Sequence, residues 1–151
     1  MTGLNHAATG VLVAVIVKQP AIALPAAFLS HFVSDAIPHF DHKDLIPKPN
    51  LYHVVVAIDL LLTAAFLTAM VMILKVAGWL IVACGLLAIA PDLMWLPVII
   101  KARNVSFKGE GIMAKLKRFH KFVQWSEGPW GAYVEIFWLV LMLALILRIG
   151  R

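Results

Sequence analysis

The stretch "SHFVSDAIPHFDH", Ser30 to His42, places three histidines and two aspartates within thirteen residues. Neutral imidazoles combined with carboxylates are ligands for zinc, and also for manganese or iron. His31 and Asp35 are four residues apart. On a helix they share one face and can offer a nitrogen and an oxygen to the same ion. Two further carboxylates, Asp59 and Asp92, lie inside apolar runs. There a charge costs roughly 2.5–3.5 kcal/mol on insertion scales, and an ionisable residue so placed is a functional candidate.

The elements that must position these residues are apolar. The chain has 151 residues, 62% hydrophobic, with a mean hydropathy of +0.92. Apolar runs reach bilayer-spanning length, so the expected class is an all-α integral membrane protein, residues 1–151 forming a single domain. Five transmembrane helices are predicted, over 3–17, 20–37, 51–74, 76–100 and 130–147. The short connections at Lys18-Gln19 and around Lys75 make two antiparallel hairpins of the first four, with the fifth helix C-terminal. Residues 111–125 carry Ile112, Leu116, Phe119 and Val123 opposite Lys115, Lys117, Lys121 and Gln124, the pattern of an amphipathic helix on the membrane surface. The lone Cys84 excludes a disulfide framework and a cysteine-based zinc site. No basic region precedes the first apolar run, so it is not read as a cleaved signal peptide.

Five crossings put the N-terminus and the two longer loops, 38–50 and 101–129, on one side. Nine of the thirteen basic residues fall there: Lys43, Lys48, Lys101, Arg103, Lys108, Lys115, Lys117, Arg118 and Lys121. The positive-inside rule makes that side cytoplasmic, in a multi-pass cell (inner) membrane protein. The basic surplus suits anionic headgroups, and membrane lipid rather than nucleic acid is the expected partner. The pattern leaves the oligomeric state open.

All six histidines and all eight acids fall in the same half of the chain's depth or in its loops. His6 and His31 are equidistant from the Lys18-Gln19 turn, and Asp59 and Asp92 from the turn near Lys75, so each pair is level. Small residues on the first helix (Gly3, Ala7, Gly10, Ala14) and on the second (Ala23, Ala27, Ser30, Ser34) allow close helix contact, which would bring His6 to the His31/Asp35 face. The predicted metal site comprises His6, His31, Asp35, His39, Asp59, Asp92 and His120, holding one or two divalent ions, zinc first. Asp59 or Asp92 would be a ligand or the catalytic base. Gln124, Glu127 and Glu135 are candidates to support the ligands, and Lys117, Arg118 and Lys121 to hold a phosphate. His42 and His53 are read as interfacial residues, and Asp41 and Asp44 as solvated loop charges. Asp92, after Pro91, is also explicable as a helix-breaking residue bound to nearby backbone.

The stretches "NHAATG", "SHFVSDAIPHF", the Asp59 helix, "APDLMW" and "FHKFVQWSEGPWG" resemble a family of small bacterial and archaeal membrane proteins described as metal-dependent hydrolases. The His/Asp layout is also similar, more loosely, to the all-helical zinc-dependent phospholipases C. That second resemblance implies a phosphodiesterase-type site at His6, His31, Asp35, Asp59 and His120. The chain departs from it at Gln124, which stands four after His120 in place of an H-x-x-x-E carboxylate.

The expected function is metal-dependent hydrolysis of a lipid-linked phosphoester at the membrane surface, which a two-metal site would favour. Metal binding or transport without chemistry is the alternative. Only Thr63, Thr68 and Cys84 are polar toward the far side, which speaks against a transport path within one chain. A structural protein whose buried aspartates merely pair with His or Lys is the third reading.

Overall fold

The computed structural model describes residues 1–40, 48–101 and 110–151. It has α1 over Gly3–Val17, α2 over Pro20–Asp35, α3 over Pro49–Ile73, α4 over Gly78–Ile89, a 3-10 helix over Ala90–Trp95, α5 over Leu96–Lys101, α6 over Ile112–Val123 and α7 over Gly131–Gly150. Among the described residues no strand forms; one isolated parallel bridge joins His39 to Glu127. Among the described residues, three stretches are long and apolar enough to cross a membrane: Pro49–Ile73, Gly78–Trp95 and Gly131–Gly150. At about 1.5 Å per residue, α1 and α2 are shorter than the hydrocarbon core is thick. Side chains such as Leu61 and Met72 on α3 and Phe137 and Val140 on α7 are exposed. In water they would form an aggregation surface; against lipid they need no cover.

The central helix is α1. α1 packs against α2, α3, α4 and α7, and its Ala7, Ala8, Val11, Ala14 and Val15 are fully buried. The small residues bring α1 against both α2 and α4. Ala14, Ala23 and Ala27 pack together with Leu80 and Cys84 of α4. Gly10 faces α4: a Cβ there would run into the Cys84 carbonyl and come within 2.9 Å of the Ala88 Cβ. The first hairpin turns at Lys18, which takes the left-handed conformation (φ 56°) and bonds its N–H to the Ala14 carbonyl at 3.1 Å. Pro20 then opens α2, at the position where a missing N–H costs nothing.

The helix expected over 76–100 is broken. α4 ends at Ile89, and a 3-10 helix carries the chain through Trp95 before α5 begins. Pro91 and Pro97 explain this, because each removes an N–H that a continuous α-helix needs. The second expected helix likewise stops at Asp35 rather than 37, ahead of Pro38. Replacing Gly10 by Ala is expected to push α1 off α4 and cost about 1–3 kcal/mol. Thermal unfolding in detergent would read this as a lowered midpoint; an unchanged midpoint would show that the α1–α4 contact is looser than described.

Candidate metal centre

The end of α2 supplies the first two groups. His31 and Asp35, one turn apart, are both fully buried, with His31 Nε2 3.1 Å from Asp35 Oδ2. α1 supplies His6, whose ring stacks on His31 with centroids 4.1 Å apart. Its Nε2 is 3.1 Å from Asp35 Oδ1. α6 supplies His120, the one buried residue of that helix, with Nε2 3.1 Å from Asp35 Oδ2. The 3-10 helix supplies Asp92, whose Oδ1 lies 3.7 Å from His31 Nε2 and 3.6 Å from His120 Nε2. Asp92 is 27% exposed, so the site is open at its carboxylate. The ligand atoms of His31, Asp35, Asp92 and His120 lie within 4.8 Å of one another, and the four are able to hold a metal ion. Two imidazoles and two carboxylates suit zinc, manganese or iron without selecting among them.

The break in α4 also orients a ligand. His31 Nδ1 donates to the Ala88 carbonyl at 2.8 Å. In a 3-10 helix the partner of that carbonyl would be the N–H of Pro91, which has none. Donation from Nδ1 fixes the neutral tautomer and turns the Nε2 lone pair toward the site, the arrangement metal-ligating histidines adopt. His120 is held the opposite way. Trp95 Nε1–H donates to its Nδ1 at 2.8 Å, so the neutral ring carries its proton on Nε2 and donates to His31 Nε2 at 2.7 Å. His120 presents a lone pair at Nε2 only once the indole releases Nδ1.

The other expected residues divide. Gln124 Nε2 donates to Asp35 Oδ2 at 3.1 Å, so the amide standing where an acid was sought supports the buried carboxylate. His39 is buried, 4.0 Å from Asp35 Oδ1 and 3.8 Å from Glu127 Oε1. Glu135 ties three segments together, accepting from Thr2 N at 3.1 Å, Asn5 Nδ2 at 3.0 Å and Phe40 N at 3.1 Å. On α6, Lys117 is half-buried, and Arg118 and Lys121 are exposed. Asp59 has a different role from the ligand or base expected of it. Its carboxylate accepts Gly3 N at 2.8 Å and Leu4 N at 3.1 Å, capping the first turn of α1, and it is not one of the four grouped residues. His53 bonds the Ile99 carbonyl at 3.0 Å on the exposed surface. Asp41, His42 and Asp44 lie outside the described residues.

Three participants were not anticipated. The Met1 amino group is 2.8 Å from Asp35 Oδ1 with both groups fully buried. Asn5 reaches Glu135, and Trp95 holds His120. Asn5 and Trp95 had a signal, as polar-tipped residues beside His6 and Asp92 in apolar surroundings.

The chain matches no protein-family model, and searches of curated proteins and of solved structures found no significant match.

A series of three variants tests these assignments by metal titration and thermal unfolding. Asp92→Asn is expected to weaken metal binding about tenfold or more. Asp59→Ala should leave metal binding intact and destabilise the protein by about 1–3 kcal/mol, since two N–H groups lose a charged acceptor. Trp95→Phe should tighten metal binding about fivefold, the equivalent of one hydrogen bond no longer broken on loading. Loss of metal in Asp59→Ala, or weaker binding in Trp95→Phe, would reverse the corresponding role.

Proposed function

We propose that the protein is a membrane-embedded, metal-dependent hydrolase of a lipid-linked phosphoester, working at the membrane surface. The observation that carries this reading is the convergence of His31, Asp35, Asp92 and His120 at one end of a bundle whose outer faces are apolar. A divalent ion held there supplies Lewis-acid chemistry, polarising a phosphoryl oxygen and lowering the pKa of water. Asp92 is the partly exposed carboxylate of the four, so a substrate would reach the ion from its side. The buried imidazoles fix the ligand geometry. Above them, α6 is amphipathic, with Leu116, Phe119 and Phe122 exposed and Lys117, Arg118 and Lys121 interleaved among them. Such a helix lies in the headgroup layer and brings positive charge to phosphate. The resemblance of "NHAATG", "SHFVSDAIPHF" and "FHKFVQWSEGPWG" to metal-dependent membrane hydrolases agrees with this reading. We further propose five crossings, with α1 and α2 spanning as a short hairpin, and the metal centre on the cytoplasmic side.

Metal binding without turnover is the second reading. What favours it is the complete burial of His6, His31, Asp35 and His120, which leaves a substrate only the Asp92 side.

Hydrolysis is tested with purified, zinc- or manganese-loaded protein and phospholipid vesicles, following release of phosphorylated headgroup. Turnover is expected, abolished by chelator and reduced about 10²–10⁴-fold in Asp92→Asn. Retained metal with no hydrolysis of any phospholipid or lipid pyrophosphate would favour the second reading. Orientation is tested by labelling single cysteines, in a Cys84→Ser background, in intact cells. Lys75→Cys should react with an impermeant reagent and Lys121→Cys should not. The reverse pattern would put the centre on the outer face.

A further inference from the structure

The two central carboxylates are each shared between two groups of histidines. Asp35 turns Oδ2 to His31 and His120, each at 3.1 Å. Its Oδ1 faces His6 at 3.1 Å and His39 at 4.0 Å. Asp92 divides the same way, with Oδ1 toward His31 and His120 and Oδ2 3.8 Å from His6 Nε2. One oxygen of each acid therefore belongs to the four-residue site, and the other points to a second set of nitrogens.

Those nitrogens lack partners. His6 Nε2 and His39 Nε2 are buried and make no hydrogen bond. For His6 the 3.1 Å approach to Asp35 Oδ1 is the length of a hydrogen bond without its alignment. Two atoms at that separation, not bonded to each other, are what two ligands of one ion look like. For His39 the case rests on the tautomer. Its Nδ1 donates to the Ile37 carbonyl at 2.8 Å, so in the neutral ring Nε2 is a bare lone pair. It faces Asp35 Oδ1 at 4.0 Å and Glu127 Oε1 at 3.8 Å. A buried, unbonded imidazole nitrogen between two carboxylate oxygens is satisfied by a cation bound among them, or by a proton on the ring itself. Ligands at about 2.0–2.2 Å from an ion stand roughly 3–4 Å apart, the range seen here. The Met1 amino group, 2.8 Å from Asp35 Oδ1, neutralises that oxygen but leaves His39 Nε2 unbonded.

We propose that the centre holds a second divalent cation, bound by His6, His39 and Glu127, with Asp35 and Asp92 bridging it to the ion of the four-residue site. The inference rests on that first site and extends it to a dinuclear one. Its backbone is also built for the purpose. The segment carrying His39 is pinned to the one carrying Glu127 by Gly128 N–H to the His39 carbonyl at 3.0 Å. Gly131 lies so close beneath that a Cβ would strike the His39 carbonyl group. Carboxylate-bridged ions lie about 3.5–4 Å apart and clamp the two oxygens of an in-line phosphoryl displacement. The class of ligand such a pair takes is therefore a phosphomonoester, phosphodiester or pyrophosphate.

The test is manganese loading of the full-length chain in detergent, read by elemental stoichiometry and by electron paramagnetic resonance. Two ions per chain and an exchange-coupled multiline spectrum are expected in the parent, and need no variant. His39→Ala and His120→Ala should each bind one ion and give the six-line spectrum of isolated manganese. One ion per parent chain with a six-line spectrum overturns the second site while leaving the first intact, and the Met1 ammonium is then the cation beside Asp35. Two coupled ions retained in His39→Ala overturn the assignment of His39. A parent that binds no manganese or zinc at all overturns the first site as well, so the two failures are distinguishable.

Discussion

The structure depends on one fully buried carboxylate. Asp35 is removed from water, and an uncompensated charge there would cost several kcal/mol. Its compensation comes from every side: His6 on α1, His31 one turn back on α2, His120 on α6, Gln124 just beyond α6, and the amino group of Met1. No single helix could supply these. Three stretches of chain meet at this carboxylate: the start of α1, the end of α2 and the end of α6.

The remaining polar contacts at this end hold those stretches in place. Asp59 anchors the start of α1 from α3. Glu135 anchors the same start from α7 and also fixes Phe40, next to His39. The proline-induced break in α4 gives His31 its acceptor and places Asp92 at the mouth. These acids are not interchangeable. Asp35 and Asp92 face imidazole nitrogens, Asp35 with the Met1 and Gln124 donors beside them, whereas Asp59 and Glu135 face backbone and amide donors alone. Only the first kind of environment sets nitrogen and oxygen ligand atoms side by side.

The sequence disclosed depth better than direction. The level pair His6 and His31 does meet, ring on ring, because a two-residue turn leaves a hairpin little freedom of register. Asp59 and Asp92 are level by the same reasoning, yet Asp59 turns to the α1 N-terminus while Asp92 joins the histidines. Distance from a turn says nothing about which way a side chain faces around its helix. Pro91 was visible, but its effect on the hydrogen-bond ladder, and hence on His31, needed the neighbouring helix. The tautomer of His120 was equally illegible, being set by a tryptophan twenty-five residues away.

The central position of α1 has a consequence for how the protein is made. α1 precedes α4 and α7 in translation order, yet it packs on both. The links that finish the polar end join positions 89 residues apart for His31 and His120, and 133 apart for Thr2 and Glu135. Until α7 is made, the Thr2 amide and the Asn5 side chain lack their Glu135 acceptor. Assembly of this bundle is therefore closed by its last helix, a high-contact-order step.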